Sequence, residues 1–139
     1  MIKWICSIGI FLGILSCSVS PKKDAKHLID IEKTPCRGEC PTYTLSIDEN
    51  KVVHYNGINN VPIIGEKEVT LTDQQFKNLK DKLNGFSFEN YSSSYGGTYT
   101  DISYTIITTP NKTIKLVKKK GPPELYELVE YIETQYLPK

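Results

Sequence analysis

Cys36 and Cys40, in the stretch TPCRGECPTY, form the one closely spaced pair of reactive thiols in the chain. Three chemistries use such a pair: metal ligation, dithiol exchange and a structural disulfide. On a helix, a spacing of four would bring both thiols to one face. Pro35, Gly38 and Pro41 argue against a helix here, because proline lacks the N–H and clashes with the preceding turn. A tight loop feeding a strand is expected instead. A structural zinc ion takes four nitrogen or sulfur ligands, and the only histidines are His27 and His54. A thiolate activated at a helix N-terminus has no helix to sit on.

Other candidate groups are sparse. His54 is one position out of phase with Val53 and Tyr55, so it should face solvent, and nothing in the sequence assembles a serine–histidine–acid triad around it. Asp101 borders the loop YSSSYGGTYT and is expected to hydrogen-bond that loop's backbone in an Asx-type contact. No second acid stands in a motif-like relation to it, so acid–base catalysis has no visible pair. Gly96 and Gly97 precede a strand rather than a helix, which does not make a phosphate loop. The tyrosine-, serine- and glycine-rich loop itself resembles a recognition surface, where tyrosine gives contact area at low entropy cost. Tyr91, Tyr95 and Tyr99, with Lys118, Lys119 and Lys120 at the end of the next hairpin, are therefore candidate partner-binding residues. A solvated charge run beside a flexible connection is the competing reading.

The N-terminus points to a compartment. After Lys3 come twelve uncharged residues, WICSIGIFLGIL, too few to span a bilayer, which takes about 20, but suited to a secretory signal. The run ends in ILSC, which resembles a bacterial lipobox. That resemblance implies cleavage after residue 16, lipidation of Cys17 on sulfur and a second acylation at its amine. Two or more acyl chains hold a protein stably on a membrane where one does not. Residues 17–28 then read as the lipidated cysteine and a polar tether. Ser18 after the cysteine is compatible with outer-membrane sorting in such lipoproteins. The expected location is the cell envelope, with the domain in the periplasm or on the surface.

Charge excludes one class of partner. Lys and Arg number 17 against 16 Asp and Glu, and loss of Lys3 with the signal leaves the two equal. Such a balance gives no electrostatic footprint for nucleic acid. Membrane contact through Cys17, and an envelope protein or glycan partner for a monomeric domain, are the expectations that remain. No cofactor is implied.

Residues 29–139 are enough for one domain with a single core. Strands are expected at 28–33, 42–48, 52–56 and about 63–69, the last with Pro62 at its start or on a sheet edge. Thr72 and Gln75 make a capping box, with Leu71 and Phe76 placed as a hydrophobic staple. Phe76, Leu79 and Leu83 share a face, and Asn84-Gly85 should end that helix in left-handed geometry. Strands follow at 101–108 and 113–118. A second helix opens at Pro122 or Pro123, with Leu125, Leu128, Val129, Ile132 and Tyr136 buried and Glu124, Glu127, Glu130 and Glu133 mostly facing water. The order β-β-β-β-α-β-β-α predicts an α+β fold: an antiparallel sheet of five to six strands with two helices on one face.

In an oxidising compartment, a folded region with two cysteines is expected to pair them. Closing so short a loop contributes about 2 kcal/mol. The motif Cys-x-x-x-Cys-Pro also resembles that of copper-delivery proteins of the thioredoxin fold. In those a helix follows the motif and a distant histidine completes the site, whereas here a strand follows and no histidine lies beyond His54. An envelope enzyme, or a thiol protein using Cys36 and Cys40 for copper or redox chemistry, stays as the alternative.

TPCRGECPTYTLSI, a following hairpin, TLTDQQFKNLKDKLNGFSF, YTDISYTI and KGPPELYELVEYIE together resemble the bacterial family DUF6438, a domain of unknown function. The resemblance extends over about 29–132, and its members are often lipoproteins or secreted. It implies fold and location and carries no activity. The family's Asp-Gly hairpin turn appears here as DENK.

Overall fold

The computed structural model describes residues 25–139. The signal segment, Cys17 and most of the tether lie outside the described residues. The fold is α+β, with one open sheet of seven strands and two helices. Its elements are β1 (His27–Lys33), β2 (Thr42–Asp48), β3 (Val52–Asn59), β4 (Gly65–Thr70), α1 (Asp73–Asn84), β5 (Ser94–Tyr95), β6 (Tyr104–Thr109), β7 (Lys112–Val117) and α2 (Pro123–Tyr136). A 3-10 turn, Phe88–Asn90, lies between α1 and β5.

Alternation decides which face is buried. Ile31 stands between Leu45 and Ile107 across the sheet, Ile29 is opposite Ile47, and Ile107 is opposite Ile114. These side chains are fully buried, and Leu79 of α1 and Leu125, Leu128 and Ile132 of α2 join the same cluster. The α2 stripe is the one read from the 3.6-residue period,. On the opposite face the strands present Asp30, Thr44, Ser46, His54, Glu66 and Glu68, polar side chains at the intervening positions,.

Several expectations need correction. The sheet runs β4-β3-β2-β1-β6-β7-β5, and β5 pairs parallel to β7 through Ser94–Lys115 and Tyr95–Leu116. The sheet is therefore mixed, though mostly antiparallel, and has more strands than expected. A strand of two residues has no periodicity to read, and its pairing is made twenty residues away. Gly85 is right-handed at φ −75°. Its N–H donates to Lys82 O, and the Phe86 N–H donates to Leu83 O, so a tightened last turn satisfies carbonyls that a left-handed cap would have met. Residues 101–103 precede β6 instead of opening it. The Asp101 carbonyl accepts from the Arg37 N–H, and the Ser103 hydroxyl donates to Thr34 O, outside any ladder.

The start of α1 is as the sequence indicates. The Thr72 hydroxyl accepts from the Gln75 N–H, and the Gln75 side chain accepts from the Thr72 N–H. At the DENK turn Lys51 adopts φ 67°, the left-handed region in which a glycine carries no steric cost.

Candidate functional site at the loop end of the sheet

β1 enters the sheet at His27 and leaves it at Lys33, a run of roughly 20 Å,. The two ends of the sheet differ in what they carry. Lys33 leads directly into the cysteine loop, and Cys36 and Cys40 are paired there as a disulfide, with Cα atoms 5.8 Å apart. Around this loop gather segments distant in sequence. The Thr34 N–H donates to Tyr104 O, the Tyr104 N–H donates to the Thr34 hydroxyl, and the Asn60 amide donates to Cys40 O. Tyr104 pairs with Val117, the last residue of β7, so Lys118, Lys119 and Lys120 follow at this same end. The Tyr104 hydroxyl donates to Tyr99 O, bringing in the tyrosine-rich loop. The disulfide loop, that loop and the lysine turn thus share one end of the sheet.

The candidate partner-binding residues separate on this geometry. Tyr91 and Tyr95 pack against the core cluster, the first with its hydroxyl donating to Glu124 and the second accepting from the Ser92 N–H. They hold the loop in place. Tyr99 is 52 % exposed, and Lys118, Lys119 and Lys120, at the same end of the sheet, are exposed too. Two glycines let these segments approach: a Cβ at Gly96 would meet Val117 at 2.7 Å, and one at Gly121 would meet Tyr95 at 2.8 Å. Asp101 contacts the cysteine loop, its main-chain carbonyl accepting from the Arg37 N–H, where a side-chain contact with the tyrosine-rich loop was expected.

Sequence reasoning missed a cavity of about 260 Å³ under the disulfide loop. The segment joining β3 to β4 folds back over Gly57 to form one wall, with the Tyr55 hydroxyl donating to Ile63 O at 3.1 Å. Pro41 of the cysteine motif, Leu137 and Pro138 complete the rim, and Tyr43 and Tyr55 form the floor, their rings 5.8 Å apart. On the polar wall, Lys33 Nζ lies 3.0 Å from Glu133 Oε1, with side-chain exposures of 23 % and 26 %. The Tyr43 hydroxyl donates to that same carboxylate oxygen. Burial, and then the adjoining Glu133 carboxylate, raise the Tyr43 phenol above its ordinary range, so it keeps its proton and acts as a donor. Glu133 was expected to face water. It sits four residues after Val129 and three before Tyr136, at the margin of the buried stripe, and that position was the available signal.

α2 spans this region. The Tyr126 hydroxyl contacts Val117 O and Lys120 near its start, and Glu133 reaches Lys33 and Tyr43 near its end. The helix therefore crosses several strands, tying the lysine turn to the cavity.

The opposite, entry end holds both histidines. His54 is on the polar face, as its phase requires, but it is a paired residue: Nε2 lies 3.1 Å from Asp48 Oδ2 and Nδ1 lies 2.9 Å from Glu68 Oε1. His27 is in β1, in a part of the sequence read as tether. Its Nδ1 lies 3.0 Å from Asp30 Oδ1 and 2.8 Å from the Ser46 hydroxyl. A register shift between His27 and Ile29 turns its ring to the polar face, where it stacks on His54 at 6.4 Å,. Serine, histidine and aspartate meet here, but serine and aspartate share one ring nitrogen. A hydrolytic relay needs them on opposite nitrogens, so this arrangement does not form one.

His54 is also remote from the thiols. It pairs with Ser46, four residues along β2 from Thr42 and so roughly 13 Å from the start of that strand. Among the described residues no group of three or more histidine, cysteine, aspartate or glutamate side chains is placed to hold a metal ion. Also among them, no helix is long and apolar enough to cross a membrane.

No curated protein and no solved structure matches the chain. The family model for a domain of unknown function, DUF6438, matches residues 27–136, from the first residue of β1 to the last of α2. The disulfide motif and the loops around it fall within that match, as do the cavity's lining residues other than Leu137 and Pro138, and the chain belongs to the DUF6438 family.

Proposed function

We propose that the protein is a lipid-anchored cell-envelope domain, without enzymatic activity, that binds an envelope protein or glycan. Cys17 attaches it to a membrane, the outer membrane in the favoured case. What supports this reading most is the polarity of the sheet. The tether joins at His27, and the cysteine loop, the cavity, exposed Tyr99 and the lysine turn are at the other end, roughly 20 Å away,. Ile58 and Ile64, 54 % and 65 % exposed, flank the segment that forms the cavity wall. Scattered apolar side chains on a surface are ordinary. Here two isoleucines border a cavity on the end facing away from the point of attachment. The Cys36–Cys40 disulfide serves as architecture, fixing Pro41 and Tyr43 relative to Lys33.

The alternative, a thiol, copper or other enzymatic protein, requires free thiols near a histidine or carboxylate. Intact-mass analysis of the chain extracted from membranes, alkylated with and without reductant, separates the two. The expected mass is that of a chain beginning at an acylated Cys17, with no alkylation until reductant is added and two sites afterwards. An unacylated N-terminus would remove the anchor, and thiols that alkylate without reductant would remove the disulfide.

A further inference from the structure

We infer that the loop-end cavity takes one neutral, hydroxyl-bearing ring, a sugar residue of an envelope glycan, an inference that rests on the binding role proposed above. Size sets the first limit. At about 260 Å³ the cavity falls just below the range of roughly 300–1,000 Å³ that accommodates drug-sized ligands, so the ligand is compact.

Charge sets the second. Lys33 and Glu133 neutralise each other at 3.0 Å in a half-buried setting. An anionic or cationic ligand would have to displace one and rest beside a like charge, at a cost that grows with burial. A neutral ligand leaves the pair intact.

Hydrogen-bonding capacity sets the third. The Tyr43 hydroxyl and the Lys33 ammonium both meet Glu133 at Oε1, which leaves Oε2 to accept from a ligand. Lys33 has further protons to donate, and the Asn60 carboxamide both donates and accepts. A hydroxyl also does both, so neighbouring ring hydroxyls match this mixed set. The rest of the lining includes Pro41, Val61, Pro62, Ile63, Leu137 and Pro138, apolar surface suited to the C–H face of a ring. Three of these are prolines and present no N–H, which leaves fewer backbone donors in the lining for a peptide's carbonyls.

The test uses saturation-transfer NMR on the full-length chain in detergent micelles. The probes are N-acetylglucosamine, chitobiose and methyl glucoside, with trialanine, acetate and methylammonium for comparison. Saturable transfer to sugar ring protons is expected, with none to the charged probes. Glu133→Gln should weaken it about tenfold through loss of a charge-assisted acceptor. Val61→Trp, which fills the cavity from its wall, should abolish it. Three outcomes overturn the inference: binding of trialanine without sugars, no saturable sugar binding to the folded chain, or sugar binding that both variants leave unchanged. Partner crosslinks from the loop end without sugar binding would overturn this inference alone. Absence of both would overturn the binding role as well.

Discussion

Gly57→Ala is expected to destabilise the domain by about 3 kcal/mol, combining overpacking with the loss of a part-buried hydrogen bond,. A Cβ at this position would lie 1.9 Å from Ile63 O, 2.7 Å from the Tyr55 hydroxyl and 2.9 Å from Val61 Cγ2. The first of these is backbone and cannot turn aside as a side-chain end can. The wall segment would have to lift from β3, and the Tyr55–Ile63 hydrogen bond would break with it. Urea unfolding followed by tyrosine fluorescence measures the loss. The amide resonances of Val61 and Ile63 should shift most, while those of the entry-end turn at Asp48 stay in place. A change within about 0.5 kcal/mol, the scale of a neutral surface substitution, would show that the segment does not pack on Gly57 in solution.

Asp48→Ala is expected to cost about 2 kcal/mol, since it leaves part-buried donors without their acceptor,. Asp48 is 4 % exposed. Its Oδ1 accepts from the Asn50 and Val52 N–H groups at 2.9 and 3.0 Å, and its Oδ2 meets His54. Burial on its own would raise the carboxyl's pKa. The Val52 N–H, His54 and the Asn50 N–H outweigh it and hold the pKa below the ordinary carboxylate value,. Because the folded-state value is depressed, the contribution is present above the unfolded value of about 3.9 and is lost as pH falls through the folded one. Acid titration of stability by urea unfolding should therefore show a steeper decline below pH ~4 in the parent than in Asp48→Ala. Parallel curves would show that Asp48 does not carry this pH dependence.

The features legible in the sequence were those written locally. The capping box spans Thr72 to Gln75, and the α2 stripe repeats every three to four residues. The bounds of β2, a strand with clean alternation, could be read directly. What was not legible depends on contacts between distant segments. β5 exists because Ser94 and Tyr95 find Lys115 and Leu116. The cavity exists because the segment after β3 folds back on Gly57, and because Glu133 meets Lys33, 100 residues away, and Tyr43, 90 residues away. His27 was hidden for another reason: by simple alternation it belongs with Ile29 and Ile31, and only the register shift sends it to the other face. The cysteine pair was legible as a loop rather than a helix because Pro35, Gly38 and Pro41 surround it, and the structure joins it as a disulfide. That its loop borders a cavity was not, because Pro41 and Tyr43 acquire that role only beside α2 and the wall segment.

The central claim is that the end of the sheet remote from the tether is the binding end. Site-specific photocrosslinking in intact cells tests it most directly, with benzoylphenylalanine placed in turn at Ile58, at Tyr99 and at Glu49 in the entry-end turn. All three positions are exposed, so incorporation should leave the fold unchanged. The account predicts discrete, saturable adducts from Ile58 and Tyr99 and none from Glu49. Adducts confined to Glu49, or none from either loop-end position, would contradict it.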